Sequence, residues 1–303
     1  MTDASASPST NAVRFGIVGI ADGLEACGLK PLGQNHLAAL EERGLETELL
    51  VMLGVGASDK FGGNSIGIPF WENGKLVGVK HRTLGGEKRF LQDVGSKQIF
   101  YNVDSLSDES LGNEPVVICE GEMDCFSAIQ AGYQRALSVP GGAPMEQLKD
   151  TTGKKYAFVE QALPLLANCQ EIILATDDDG PGQNLRADLA LRLGAGRCKF
   201  VTYPKGCKDF NDTLREWGVR GIHESVKRAR WMHINGYYQL SDLPELGEAK
   251  AYSTGIVGMD AHYKLRLGDF TVITGIPGHG KSSFINEVCG RMAMKHGWNT
   301  VFA

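Results

Sequence analysis

Pro115-Val116-Val117-Ile118-Cys119-Glu120-Gly121-Glu122-Met123-Asp124 is an apolar run that passes straight into acid. It predicts a buried strand, an acidic loop and then a helix. The pattern returns at Glu171-Ile172-Ile173-Leu174-Ala175-Thr176-Asp177-Asp178-Asp179-Gly180. It comes a third time, more weakly, at Lys199-Phe200-Val201-Thr202-Tyr203 followed by Lys208-Asp209-Phe210-Asn211-Asp212. Strands alternating with helical stretches predict an open parallel α/β sheet. In such sheets ligands bind in the crevice outside the C-terminal strand ends, so these carboxylates are expected to meet. Two carboxylates about 4 Å apart repel by roughly 4 kcal/mol at an effective dielectric of 20. A cluster of them needs protons or a cation, and hard oxygen ligands favour Mg²⁺. The residues point to a Mg²⁺-dependent site for phosphoryl or nucleotidyl transfer.

Working outward, the chain has 303 residues, enough for two domains or slightly more. Apolar content of 42% and charged content of 22% are ordinary for a soluble globular chain. No apolar run of about eighteen residues exists, so no membrane span is expected. Met1 to Asn11 is rich in Ser, Thr and Ala and lacks an apolar core, which reads as a disordered tail and not as a signal peptide. The seven cysteines include no CxxC pair. They form neither a zinc site nor a disulfide framework, and a reducing cytoplasm is expected. A net charge of −5 argues against wholesale coating of nucleic acid but leaves room for a local basic patch.

Such a patch precedes the acidic strand. Residues 14 to 58 read as small and helical, with an amphipathic helix from Gln34 ended by Gly44 and with His36 on its surface or at its cap. Ile66-Gly67-Ile68-Pro69-Phe70-Trp71 then leads through Asn73-Gly74 into Leu76-Val77-Gly78-Val79-Lys80-His81-Arg82. Asn-Gly between apolar runs is a hairpin signal. Between Lys60 and Tyr101 there are seven Lys/Arg against three Asp/Glu. Alternation puts Lys80 and Arg82 on one face and His81 on the other, with Phe90, Phe100 and Tyr101 interleaved. A basic sheet with aromatic residues can track a phosphate backbone and stack bases; an ordinary solvated strand face fits the same residues.

Beyond the third acidic loop, Ile222 to Trp231 reads as a basic amphipathic linker helix and Ser241 to Lys250 as a polar connector. Asp269 to Thr274 reads as a strand feeding Gly275-Ile276-Pro277-Gly278-His279-Gly280-Lys281-Ser282, which fits GxxxxGKS and opens a helix through Ser283. Strand, glycine loop and helix are the setting of a phosphate-binding loop. Its backbone N–H groups would cradle phosphate, Lys281 would reach the β/γ oxygens and Ser282 would ligate Mg²⁺. The sequence stops at Ala303, before the strands such a motor needs. The expectation is a fragment of a longer protein whose phosphate loop is not a working ATPase as it stands.

Glu120-Gly121 with Asp124, then Asp177-x-Asp179 with Gly180 and Gly182, resemble the two signatures of the TOPRIM domain of DnaG-type primases, topoisomerases and some nucleases. Lys208-Asp209-Phe210-Asn211-Asp212 is similar to the third acidic motif of primases. The basic stretch from Ile68 to Phe90 is similar to the subdomain that precedes TOPRIM in phage primase–helicases and in Twinkle-like helicases. Ser253-Thr254-Gly255 with Gly258-Met259-Asp260 resembles the start of RecA-like hexameric motors. The resemblance covers roughly residues 30 to 303. It implies an α/β organisation: 1–13 a disordered tail, 14–112 a basic α+β primase subdomain, 113–217 a TOPRIM sheet flanked by helices, 218–250 a linker helix and connector, and 251–303 the start of a RecA-like P-loop domain.

The activity implied is Mg²⁺- or Mn²⁺-dependent joining of ribonucleotides on a single-stranded DNA template, with ATP or another nucleoside triphosphate bound at the second site. Two metal ions would stabilise the attacking 3′-oxygen and the departing pyrophosphate. Asp177 and Asp179 are expected as metal ligands, Asp209 as a ligand of the second metal, and Glu120 as a ligand or as the base for the 3′-hydroxyl. Glu122 and Asp124 support the loop. Lys208 contacts nucleotide phosphate, Lys80, Arg82, Lys88 and Arg89 grip DNA, and Gly275, Gly280, Lys281, Ser282 and Ser283 hold nucleotide. A homo-oligomeric ring, hexamer or heptamer, is implied for the full-length protein, in a bacterial or phage-infected cytoplasm. The phage enzymes carry a zinc ribbon that this sequence lacks. That departure supports an alternative: a Twinkle-like 5′→3′ helicase whose TOPRIM half binds single-stranded DNA without making primers. A TOPRIM nuclease is a third possibility, in which neither the basic subdomain nor the phosphate loop is expected.

Overall fold

The computed structural model describes residues 20–112, 114–146, 154–233 and 250–302. The tail expected at 1–13 and nearly all of the polar connector expected at 241–250 lie outside them. Contacts divide the chain into two compact units, Met1–Tyr237 and Tyr238–Ala303.

The first unit opens with three short helices, α1 (Ile20–Ala26), α2 (Gln34–Glu41) and α3 (Thr47–Met52). His36 is buried, and its Nδ1 accepts the Gly33 N–H at 3.2 Å. The capping role expected for it stands, and the surface position does not, because Leu40 of the same helix draws that face into the core. An antiparallel sheet follows, β1 (Gly56–Ala57), β2 (Ser65–Glu72), β3 (Lys75–Thr83) and β4 (Phe90–Gln92), in that spatial order. The hairpin turns at Asn73-Gly74, whose φ angles of 52° and 70° suit the turn that matches strand twist. The Asp104 carboxylate accepts both turn N–H groups, at 2.7 and 2.8 Å. Pairing of β3 with β4 sets Lys80 opposite Gln92 and Arg82 opposite Phe90.

The second sheet has the order β6 (Ala136–Ser138), β5 (Val116–Cys119), β7 (Ile172–Ala175), β8 (Cys198–Phe200) and β9 (Arg230–Trp231). The first four are parallel and β9 is antiparallel. Every residue of β5 and β7 is buried. This is why both read as continuous apolar runs without alternation: helices cover both faces. Those helices are α4 (Glu122–Gln130), α5 (Ala157–Leu166), α6 (Gly180–Leu193) and α7 (Phe210–Lys227). From β5 the chain goes outward to β6 on one side and to β7 on the other. The order therefore reverses at the C-terminal end of β5, which is where ligands bind in such sheets. One apolar core runs through both sheets. Tyr101 joins them, edge-on to Phe70 at 5.4 Å and to Phe126 at 5.6 Å. The basic sheet is thus fixed beside the strand ends by packing.

Two further sequence expectations are corrected. The helix expected over 222–231 is the second half of α7, which bends at Gly218 (φ 62°, ψ −170°) and ends at Lys227. Ile222 is fully buried, and Arg230 and Trp231 form β9. Helical periodicity lost there to an open sheet edge: β8 offers unpaired backbone groups, and the Lys199 ammonium sits 4.5 Å from the Trp231 ring centre. In the second unit, the strand expected over 269–274 is absent. A strand exists through its ladder, and these residues pair with none of the described residues; Phe270 is 93% exposed. This unit holds a two-stranded sheet, β10 (Ala251–Tyr252) and β11 (Leu265–Arg266), and a helix, α8 (Lys281–His296). Among the described residues no helix is long and apolar enough to cross a membrane.

Candidate active site

Glu120 follows β5 directly, and Asp177 lies two residues beyond β7. Cys119 and Ala175 are register partners, so the two acidic loops leave the sheet side by side. The Asp177 N–H reaches Glu120 Oε2 at 3.4 Å. The loop after β8 joins them, because the Asp178 N–H donates to the Lys208 carbonyl at 2.8 Å. The Asp124 carboxylate, in the first turn of α4, accepts the Asn211 N–H at 3.0 Å. Glu120, Asp124, Asp177, Lys208 and Asp209 thereby line one wall of a cleft of about 420 Å³. Gly182 makes the second loop possible. A Cβ there would stand 2.1 Å from the Asp177 carbonyl oxygen, so only glycine lets α6 start so close beneath the acid.

The facing wall comes from the antiparallel sheet and carries Lys80, Arg82, Lys88, Phe90 and Gln92, with Arg43 from the turn after α2. Lys80, Arg82 and Lys88 each place a cation 5.3 Å from the Phe90 ring centre. Lys80 is already engaged. Its Nζ donates to Glu122 Oε1 at 2.6 Å and to the Pro140 carbonyl at 3.1 Å, and both side chains are buried. Arg82 is 6% exposed and its Nε has no hydrogen-bond partner. The side chain lines the cleft, and a guanidinium suits phosphate or carboxylate oxygens.

Charge on the acidic wall is under strain. Burial pushes Asp177 up to about 7, with Glu120 and Asp209 adding repulsion. Burial also raises Glu120, helped by the charge of Asp179 and opposed by N–H donors from Asp177 and Ala143. Asp124 is driven well above the carboxylate range by burial and by Asp209 and Asp177. Asp209 is raised as well, chiefly by burial. Burial draws Lys208 down, but Asp177, Asp209, Asp212 and Asp179 outweigh it and hold the ammonium charged.

Of the residues singled out from sequence, the cleft gathers Glu120, Asp177, Asp209, Lys208, Lys80, Arg82 and Lys88. Asp179 is outside its lining and caps α6, accepting the Gly182 N–H at 2.8 Å. Arg89 is also outside, exposed and paired with Glu87 at 2.7 Å. Arg43, Asn211 and Gln92 were not anticipated. Arg43 belongs to a helix end remote in sequence. Its carbonyl accepts from Asn211 Nδ2 at 3.0 Å, a link that no local pattern carries. In the second unit, Gly278 and Gly280 take φ of 81° and 80°. Lys281 Nζ donates to the carbonyls of Gly275 and Ile276, at 2.9 and 3.0 Å. Ser282 and Ser283 lie in the first turn of α8.

No three carboxylates converge tightly enough to hold an ion as they stand, among the described residues. The donor chemistry nonetheless fits a divalent cation. The wall supplies hard oxygens pushed towards protonation by burial and then by mutual repulsion, and the charge of a Mg²⁺ ion would offset that repulsion.

A Toprim-like family profile matches residues 117–214, a span that begins within β5 and contains β7 and all three acidic loops. The chain is 33% identical over 257 residues to the Twinkle homolog protein, chloroplastic/mitochondrial, of Arabidopsis thaliana, covering 77% of this chain and 35% of that one. It is 34% identical over 177 residues to the Primase homolog protein of the same plant, covering 54% and 50%. The chain thus spans no more than half the length of these two curated relatives. The RNA polymerase domain of Mycobacterium tuberculosis primase DnaG superposes with a TM-score of 0.52 at 18% identity, covering 70% of this chain and 83% of that one. That likeness is one of fold.

Proposed function

We propose that this chain, which carries a Toprim-like segment on a primase-type fold and is similar to the Twinkle and primase homologs, synthesises RNA primers on single-stranded DNA. The observation that carries this reading is the cleft itself, with an acidic wall facing a cationic, aromatic one. Polymerising nucleotides needs both: oxygens for the cation at the reacting phosphate, and cations for the rest of the polyphosphate and the template. Asp177 and Asp209 would hold Mg²⁺ or Mn²⁺, with Asp179 close enough to add charge. The metal would supply charge stabilisation at the attacking and leaving oxygens. Glu120, raised above its ordinary value by burial, either ligates the ion or takes the proton of the 3′-hydroxyl. Arg82 and Arg43 donate N–H groups to triphosphate oxygens, Lys208 follows the phosphate across the acidic wall, and Phe90 offers a face to a base. Lys80 acts through Glu122, fixing the start of α4.

Incubating the chain with single-stranded DNA, labelled ribonucleotides and Mg²⁺ or Mn²⁺ tests the reading. Short RNA products are expected, and Glu120→Gln and Asp177→Asn are each expected to cut the rate by about 10²-fold or more. Absence of product, with DNA binding intact and indifferent to both substitutions, would sink it. That outcome would favour the second reading, which the Twinkle homolog match supports: a replicative helicase whose Toprim half binds single-stranded DNA. In that reading the loop at 275–282 binds ATP, and the full-length protein assembles as a homo-oligomeric ring. The bacterial or phage setting expected from sequence gains no support from a relative named for chloroplast and mitochondrion.

A further inference from the structure

Behind the cationic wall lies a polar cluster that the cleft does not use. His81 alternates with Lys80 and Arg82 along β3, so its ring projects from the opposite face of the sheet. It is 2% exposed. Its Nδ1 lies 2.7 Å from Ser58 Oγ, at the end of β1, and its Nε2 lies 3.3 Å from Asp93 Oδ1, just past β4. Ser58 Oγ also accepts the Lys60 N–H at 3.2 Å, so the hydroxyl ties the turn after β1 to the imidazole. Lys60 Nζ approaches the same Asp93 oxygen at 3.0 Å. Lys60 and His81 together hold the Asp93 carboxyl low against the opposing effect of burial.

Serine, histidine and aspartate stand here in the order of a hydrolase relay, but Ser58 is 3% exposed. No substrate reaches its Oγ, so nucleophilic chemistry is not the use. What the cluster does is mechanical. β4 is three residues long and sits at the sheet edge, yet it carries Phe90 and Gln92 into the cleft. Its own ladder to β3 is short, and a short edge strand frays readily. The cluster fastens the far end of β4 to β3 and both to the end of β1.

We propose that His81, with Ser58 and Asp93, is a positioning device for the cleft: it locks β4 against β3 and thereby holds Phe90 among the cations of Lys80, Arg82 and Lys88. The inference rests on the cleft being the working site, but its first readout needs no activity. Hydrogen exchange of the intact chain would be followed for the parent, Ser58→Ala, His81→Leu and His81→Gln. Ser58→Ala and His81→Leu are expected to speed exchange of the Asp93 amide, which donates to the Val79 carbonyl at 3.1 Å. The expected acceleration is about fivefold for each buried hydrogen bond lost, with amides of β5 and β7 unchanged. His81→Gln, which keeps a donor and an acceptor, should restore much of the protection. Binding of inorganic triphosphate should weaken in the same order. Unchanged exchange at Asp93 in Ser58→Ala would overturn the proposal. So would equal acceleration throughout the first unit, which would mark a merely structural contact. Should His81→Leu fail to fold, Ser58→Ala decides, because it removes one hydroxyl. Failure of primer synthesis with local loosening intact would count against the functional reading and leave the clamp standing.

Discussion

Asp177 is the residue on which the site's pH dependence turns. Its folded value of about 7 stands above the ordinary 3.8, so the metal-free fold holds a proton that the unfolded chain releases. Stability from this group is complete below the unfolded value and is lost as pH rises through about 7. Mg²⁺ binding has the opposite sense, because the ligand must be deprotonated, and affinity should climb through the same window. Melting at pH 5 and pH 8, with and without Mg²⁺, checks both. The metal-free chain should melt lower at pH 8, Mg²⁺ should restore it there, and Asp177→Asn should flatten the dependence. An equal response to Mg²⁺ at both values would refute the assignment. Gly182 bears on the same acid. Gly182→Ala sets a methyl 2.1 Å from a backbone oxygen, so the loop must move. A loss of about 1–3 kcal/mol, together with weakened Mn²⁺ binding, is expected from denaturation and metal titration.

Between elements, the buried Lys80–Glu122 pair is the tie to examine, because it joins β3 of the antiparallel sheet to the first turn of α4. Removing one partner strands the other charge in a poorly hydrated place, whereas replacing both with apolar groups removes the problem. Lys80→Met should therefore cost about 3–5 kcal/mol, and Lys80→Met with Glu122→Leu should recover most of it. Urea unfolding of the parent, the single and the double variant measures this. A double variant as unstable as the single one would mean that the pair is not what couples the elements. Sequence alternation identified Lys80 as facing the basic side of its sheet, but it could not reveal Glu122, which lies 42 residues away.

Over the whole molecule the two units differ in what holds them. The first has a continuous core through both sheets. In the second, Met292 is the one apolar side chain buried among the described residues. Its order comes instead from polar contacts. Asp260 accepts from the Thr254 N–H and Oγ and from the Gly255 N–H, at 2.6, 2.7 and 2.9 Å, and bonds from Ser253 and Thr254 hold its carboxyl well below the usual range. A segment of residues 1–237 should then melt cooperatively near the temperature of the whole chain, whereas residues 238–303 alone should show no cooperative transition. Calorimetry on the two segments decides. A sharp transition in the second would show a core that the described residues do not contain.

The parallel sheet and its acids were legible because each signal is contiguous: a strand buried on both faces must be apolar throughout, and the loop that follows carries its chemistry in the next few residues. The Asn73-Gly74 hairpin was legible for the same reason, since turn geometry demands particular residues. Other features depended on partners that no window of sequence contains. Trp231 is a strand residue because the β8 edge lies open beside it, and residues 269–274 form no strand because nothing among the described residues pairs with them. Arg43 reaches the cleft through packing, Lys80 is drawn to Glu122, and His81 finds Ser58 and Asp93 behind the sheet. Backbone pattern is set by local sterics and hydrophobic period, but the partner of a buried charge is chosen by where desolvation leaves it nowhere else to go.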